Sequence, residues 1–158
     1  MKRTDIDTYF MQIAKVVSTR STCIKRHVGC VITVDKELVS TGYNGAVSGL
    51  PHCIDIYSCC PREEIGAHRG ERYDLCPALH AEQNAIIQAA KSSKSINNGV
   101  AYITIAPCIT CARMLINAGI KRIIMGDTPQ DEVINLFKEV NIDYKILEVS
   151  DEINIDRT

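Results

Sequence analysis

Apolar residues recur near the N-terminus at Ile6, Tyr9, Phe10, Ile13, Val16 and Val17, the spacing of one helical face, and predict a helix over 5–20. Residues 28–34 form a β-branched run that stops at the Asp35-Lys36-Glu37 turn. Residues 38–44 (LVSTGYN) resume it, so the pair reads as a β-hairpin. Helical character returns over 80–91 (HAEQNAIIQAAK), followed by a strand over 100–106. Pro107 opens the next helix, CITCARMLINAG, which Gly119 ends. A buried-type strand over 120–125, an amphipathic helix over 130–140 and a strand over 143–149 complete the pattern. Strands alternating with helices through the second half predict an α/β fold of three layers, α/β/α, around a central mixed sheet of about five strands.

Between residues 44 and 79 no periodicity is sustained, and three prolines and four glycines interrupt the chain. A loop of that length is uncommon inside a compact domain unless it is functional or held by something. It carries Cys53, Cys59, Cys60 and Cys76, half of the eight cysteines in the sequence, which suggests what holds it. No repeat or linker-like shift in composition divides the rest. The expectation is one domain over 1–158 with a cysteine-rich insertion at about 45–79.

Composition narrows the function classes. Apolar residues make up 46% and charged residues 23% of the 158, an ordinary globular balance. Eighteen basic against nineteen acidic side chains leave a net charge of −1, which argues against nucleic acid as a partner. Aromatic residues are few, with no basic-aromatic interleaving of the kind that grips single strands. The apolar runs are far shorter than the roughly 20 residues a membrane helix needs. Acidic residues in MKRTDIDTYF stand where a secretory signal would have its apolar core. These features predict a soluble cytoplasmic protein with no membrane partner. In that compartment, eight cysteines point to metal or catalysis rather than to disulfides. Cys30, inside VGCVITV, reads as a small buried hydrophobe.

The chemistry concentrates in His80-Ala81-Glu82 and Pro107-Cys108-Ile109-Thr110-Cys111. Two cysteines three apart at a helix start place both sulfurs on one side of the first turn, where unpaired N–H groups favour thiolate. One His and two Cys give zinc three ligands and leave a fourth position open, the catalytic rather than the structural arrangement. Glu82 is the carboxylate that could shuttle protons beside it. Residues i and i+2 diverge inside a helix, so His80 and Glu82 can act together only at a first turn bordering a cleft. H-x-E followed by P-C-x-x-C is the general signature of zinc nucleobase deaminases. The plainer alternative is a zinc ribbon, with His80 an ordinary core histidine.

Longer segments strengthen that match. RSTCIKRHVGCVIT (20–33), STGYNGAVSGLPHC (40–53), LCPALHAEQNAI (75–86) and AYITIAPCITCARMLINAGIKRIIM (101–125) together resemble the deoxycytidylate (dCMP) deaminases. The likeness is greatest to the bacterial and phage forms, including the late-competence-protein type, and spans residues 9–147. It implies a cytidine-deaminase-like fold with zinc held by His80, Cys108 and Cys111. Glu82 would then protonate ring N3, take a proton from water and help expel ammonia as dCMP becomes dUMP for thymidylate synthesis. The backbone at Ala81 and the turn that begins at Thr104 would read the base. Asn44 would contact the deoxyribose, although an asparagine before Gly45 also reads as a turn residue.

The same resemblance requires cations for a 5′-phosphate. Lys25-Arg26-His27 is the densest basic trio, with Lys25 and Arg26 the candidates and a solvated charge cluster the alternative. Cys23 and Cys53 match positions at which some phage members bind a second, structural zinc, although the insertion of those members supplies histidines; Cys60 and Cys76 fit the cysteine-bearing insertion of the bacterial forms, and the four thiolates would close a tetrahedral site. His52, Cys59 or His68 could substitute in it, and free thiols are the alternative. Gly42, Tyr43, Asn44 and Gly45 fall where the family binds regulatory nucleotides: dCTP with Mg2+ activates and dTTP inhibits, in a homo-hexamer. Glycines permit a ligand's close approach, and a tight hairpin end explains them equally. A deaminase of another cytosine nucleotide or of RNA, and a non-catalytic zinc-binding module, are the competing functions.

Overall fold

The structure, a computed structural model, describes residues 3–68 and 70–150 of the domain expected over 1–158. In chain order its elements are α1 (Ile6–Ser18), β1 (Gly29–Val34), β2 (Glu37–Tyr43), β3 (Gly45–Ala46), α2 (Cys53–Ile56), α3 (Pro61–Glu64), β4 (Ala78–Leu79), α4 (Ala81–Lys91), β5 (Val100–Ile103), α5 (Ile109–Asn117), β6 (Arg122–Met125), α6 (Asp131–Glu139) and β7 (Asp143–Ile146). The main sheet has the order β2-β1-β5-β6-β7. β1 runs antiparallel to β2 and β5, and β5, β6 and β7 are mutually parallel. This is the mixed five-stranded sheet expected from the sequence.

Alternation along the strands builds the three layers, because successive side chains point to opposite faces. Cys30, Ile32, Ala101, Ile103, Ile123 and Met125 join one buried cluster with residues of α4, α5 and α6. Val31, Tyr102 and Ile124 meet Phe10, Met11 and Ala14 of α1 in another. A sheet covered on both faces reads as the continuous apolar runs seen in the sequence. Cys30 is fully buried there, the small hydrophobe it was expected to be.

α1 begins at Asp5, whose carboxylate accepts the Thr8 N–H at 3.1 Å. Asp7, in the first turn, is 7% exposed. Its carboxylate accepts from the Tyr102 hydroxyl (3.3 Å), the Arg122 guanidinium (3.1 Å) and the Lys145 ammonium (3.3 Å). One buried carboxylate therefore ties α1 to β5, β6 and β7.

Two features differ from the sequence-based expectation, and both bear on the site. β5 ends at Ile103 instead of 106, because Thr104 turns away and exchanges two 3.0 Å hydrogen bonds with Gly29: Thr104 N–H to its carbonyl, and its N–H to Thr104 Oγ1. The insertion, expected to lack helix and strand, contains α2, α3, a 3-10 turn at Tyr73–Leu75 and the short β3–β4 ladder. Each is a single turn or a two-residue pairing, too short to register as periodicity. The ladder pairs Gly45 with Leu79 and Ala46 with Ala78, closing the insertion's two ends together just before His80. Gly42 then brings β2 directly onto α4: a Cβ there would collide with the Ala81 carbonyl and the Ala85 N–H.

Candidate active site

Two helix N-termini form the centre. His80 is the N-cap of α4 and Cys108 the N-cap of α5, both extended (ψ 158° and 165°), so each side chain leaves its helix before the first turn closes. His80 Nδ1 lies 3.4 Å from Cys111 Sγ and 3.7 Å from Cys108 Sγ. Ligands bound to one tetrahedral zinc through bonds of about 2.0–2.3 Å sit roughly 3.5–3.8 Å apart, so the trio fits that ion. Among the described residues it is the one group of three or more His, Cys, Asp or Glu side chains whose donor atoms all fall within 4.8 Å.

The electrostatics follow from that crowding. Cys108 is held far down, to about 3, first by a hydrogen bond from Cys111 and then by His80 and the Cys111 N–H, against the cost of burial. Cys111 is pushed up by the same bond and by burial. The pair shares a proton that binding of a metal would release, because zinc takes cysteine as thiolate. The Cys108 hydrogen bond also raises His80. Glu82, second residue of α4, is 4% exposed, and burial lifts its carboxyl above the ordinary range. Glu82 lines the same cleft as His80 and Cys108, so the first-turn condition for their cooperation is met.

The other sequence candidates divide. Ala81 and Asn44 line the cleft. The Asn44 side chain also braces the chain behind it: its Nδ2 donates to the Arg26 carbonyl and its Oδ1 accepts the Val28 N–H, both at 2.8 Å. Thr104 stands outside the cleft, occupied with β1, and Ile105 and Ala106 take its place in the lining. Asp127 accepts the Ala106 N–H and so anchors this turn from the end of β6. Lys25 and Arg26 reach the cleft. Lys25 is neutralised by Glu63 at 2.6 Å, whereas no side-chain partner of Arg26 is found among the described residues.

Cys23, Cys60 and Cys76 line the cleft's insertion side, and Cys53 is buried beside them. Burial first, then the charges of Cys23, Cys76 and Cys60, push the Cys53 thiol up against a hydrogen bond from the Ile24 N–H. The four sulfurs share a neighbourhood but do not converge within 4.8 Å as a group. The Gly42–Gly45 stretch is split. Gly42, Tyr43 and Gly45 line a second groove with Asn84 and His52, while Asn44 turns into the first cleft.

Three residues were missed by sequence reasoning. Tyr73 packs edge-on against His80 with ring centroids 4.7 Å apart, and the Arg62 guanidinium lies 4.5 Å above the Tyr73 ring. Neither residue lies in a motif, and an arginine inside a charged loop gives no signal that separates it from surface. Asp127 acts through a backbone contact that no side-chain pattern reveals.

The chain matches the family described as "Cytidine and deoxycytidylate deaminase zinc-binding region" over residues 4–127. It is 37% identical over 118 residues to the deoxycytidylate deaminase of Schizosaccharomyces pombe, covering 75% of this chain. It spans 36% of that relative's length and 48% of its Saccharomyces cerevisiae counterpart's. The deoxycytidylate deaminase of Mycobacterium phage D29 is 35% identical over 129 residues, with 78% of this chain and 96% of that protein covered. Among solved structures, the dCMP deaminase of cyanophage S-TIM5 in complex with dCMP and dUMP superposes with a TM-score of 0.74 at 26% identity, covering 93% of this chain and all of that one.

Proposed function

The chain belongs to the cytidine and deoxycytidylate deaminase zinc-binding family, and we propose that it catalyses the hydrolytic deamination of dCMP to dUMP and ammonia. The observation that carries this reading is the buried Glu82 carboxyl in one cleft with His80 and Cys108, whose donor atoms cluster with that of Cys111 behind them. Relatives named deoxycytidylate deaminase in yeasts and phages support the substrate.

His80, Cys108 and Cys111 hold the metal, and a zinc ion there supplies Lewis acidity that makes water an effective nucleophile near neutral pH. Ala81 and the 105–106 turn orient the cytosine ring, and Asn44 meets the sugar. Glu82 moves the protons. Its raised carboxyl gives a proton to ring N3, which makes C4 electrophilic, and the resulting carboxylate takes one from the attacking water. The new C4–O bond forms. Glu82 then delivers its proton to the exocyclic amino group, the C4–N bond breaks with its electron pair leaving on ammonia, and the C4 hydroxyl becomes the carbonyl of dUMP as it returns its proton to Glu82. Burial suits this role because it brings the carboxyl's affinity for protons closer to that of the groups it serves.

A nucleotide also needs its phosphate held. Arg26 is the principal cation of the trio, since Glu63 answers the charge of Lys25. The groove lined by Gly42, Tyr43 and Gly45 is a separate concavity, which favours effector binding there, with dCTP–Mg2+ activating, dTTP inhibiting and a cytoplasmic homo-hexamer as the working form. Cys23, Cys53, Cys60 and Cys76 hold a second zinc that orders the insertion.

Ammonia release from dCMP by the zinc-loaded protein tests the reading, with deoxycytidine, dCTP, CMP and a cytosine-containing RNA run beside it. Turnover of dCMP that dCTP–Mg2+ raises and dTTP lowers is expected, together with a hexamer by light scattering. Glu82→Gln should lose activity by at least roughly 10³-fold while keeping its zinc. Preferred turnover of another cytosine compound would replace the substrate, and an active Glu82→Gln would remove the mechanism. No turnover of any of them would favour a zinc-binding module.

A further inference from the structure

The cysteine-rich insertion brings a cation into the active-site cleft that no motif accounts for. Arg62, on α3, lines the same cleft as Glu82, His80 and Cys108. Its guanidinium lies 4.5 Å over the Tyr73 ring, and Tyr73 packs edge-on against His80. This stack holds the charge near the reaction centre rather than in solvent. One terminal nitrogen donates to the His68 carbonyl at 2.9 Å, and Nε is buried without a partner. The neighbouring carboxylate on the same helix turn, Glu63, is engaged with Lys25 at 2.6 Å. Among the described residues no carboxylate pairs with Arg62.

A half-buried guanidinium with spare donors and no carboxylate partner among the described residues is a strong site for an oxyanion, because its fork matches two oxygens at once. We propose that Arg62 is a specificity-determining residue that takes the phosphate monoester of the substrate, so that the insertion forms part of the active site and selects a nucleotide over a nucleoside. This rests on the deaminase reading for the identity of the base, but the anion chemistry is argued from Arg62 alone. Tyr73 sets the guanidinium's height above the metal ligands. A phosphate reaching Arg62 would leave the pyrimidine end of the ligand free to point toward Glu82.

The test uses the full-length zinc-loaded protein and separates binding from turnover. Calorimetry with dUMP and deoxyuridine compares the wild type with Arg62→Ala and Arg62→Lys, after circular dichroism and zinc content show that the variants are folded and loaded. Arg62→Ala should weaken dUMP roughly 10- to 100-fold and leave deoxyuridine within about twofold. Arg62→Lys keeps the charge but loses the fork and should fall between them. In turnover, KM for dCMP should rise by the same factor, and the preference for dCMP over deoxycytidine should collapse. Equal dUMP affinity in wild type and Arg62→Ala would overturn the assignment, as would a wild-type protein that holds dUMP no better than deoxyuridine. Arg62-dependent dUMP binding without ammonia release from any cytosine compound would leave the phosphate assignment standing and discard the deaminase reading.

Discussion

Asp127 never enters the cleft, yet its carboxylate holds the Ala106 N–H in the turn that leads to Cys108. A displacement of that turn moves both the cleft lining at Ile105 and Ala106 and Cys108, the N-cap of α5. Catalysis tolerates such displacements poorly. Asp127→Ala is expected to raise KM and lower kcat together, each by roughly tenfold, because the turn serves both binding and chemistry. Asp127→Asn keeps an oxygen acceptor and should restore most of the loss. Steady-state kinetics on the two variants check this; equal damage in both would show that the negative charge, not the hydrogen bond, matters. Residue types single out His80, Glu82, Cys108 and Cys111 because ligand and proton-transfer chemistry restricts the choice, and the fold clusters the donors of His80, Cys108 and Cys111 with Glu82 in the adjoining cleft. Asp127, Arg62 and Tyr73 were illegible for a physical reason: each is placed by a tertiary contact, with the Ala106 N–H, the Tyr73 ring and the His80 ring respectively, that no local pattern encodes. Thr104 differs from the rest of its turn. Its hydroxyl accepts from the Gly29 N–H, and the cleft is lined by Ile105 and Ala106 of the same turn.

At the scale of elements, periodicity located the major helices and strands because each buries a full face over several turns or residues. Its failures lie where an element is one turn long, as in α2 and α3, or where a strand yields to a turn, as at the end of β5. One contact between elements stands out for its cost. The Asp7 carboxylate is buried, and its partners Arg122 and Lys145 come from β6 and β7 with side chains 33% and 44% exposed. Solvent weakens the attraction on the cationic side, so the pair energies cannot be taken at full buried strength. Asp7→Ala removes the acceptor for Tyr102, Arg122 and Lys145 at once and is expected to cost about 1–2 kcal/mol of stability. Thermal denaturation should show the midpoint lowered by roughly 2–8 °C for a domain of this size. An unchanged midpoint would mean that packing of Phe10, Met11 and Ala14 alone docks α1. Activity should survive at temperatures where the variant is folded, since the contact lies on the sheet face opposite α4 and α5.

Across the whole molecule the two halves are stabilised by different means. The sheet and the four longer helices bury aliphatic side chains on both faces. From residue 47 to residue 79, by contrast, the only described side chains that are buried are Cys53 and Cys60. Leu50, Ile54, Ile56 and Ile65 in the same stretch are all more than 45% exposed. A segment with so little apolar burial cannot offset the entropy of ordering it, about 1–2 kcal/mol per residue for the backbone alone. The β3–β4 ladder closes its ends but leaves the middle unsupported. Four thiolates on one ion would supply the missing energy, since metal binding free energy becomes folding free energy when the ligands are otherwise scattered. The purified protein should therefore carry two zinc ions per chain by elemental analysis. Cys53→Ser should lose one of them, lower the thermal midpoint and make the 47–79 segment sensitive to protease, while His80, Cys108 and Cys111 keep the other. One zinc per intact wild-type chain would dismiss the second site. In that event the insertion would have to be ordered from outside, by nucleotide at Arg26 and Arg62, and protection from protease would then follow dUMP rather than metal.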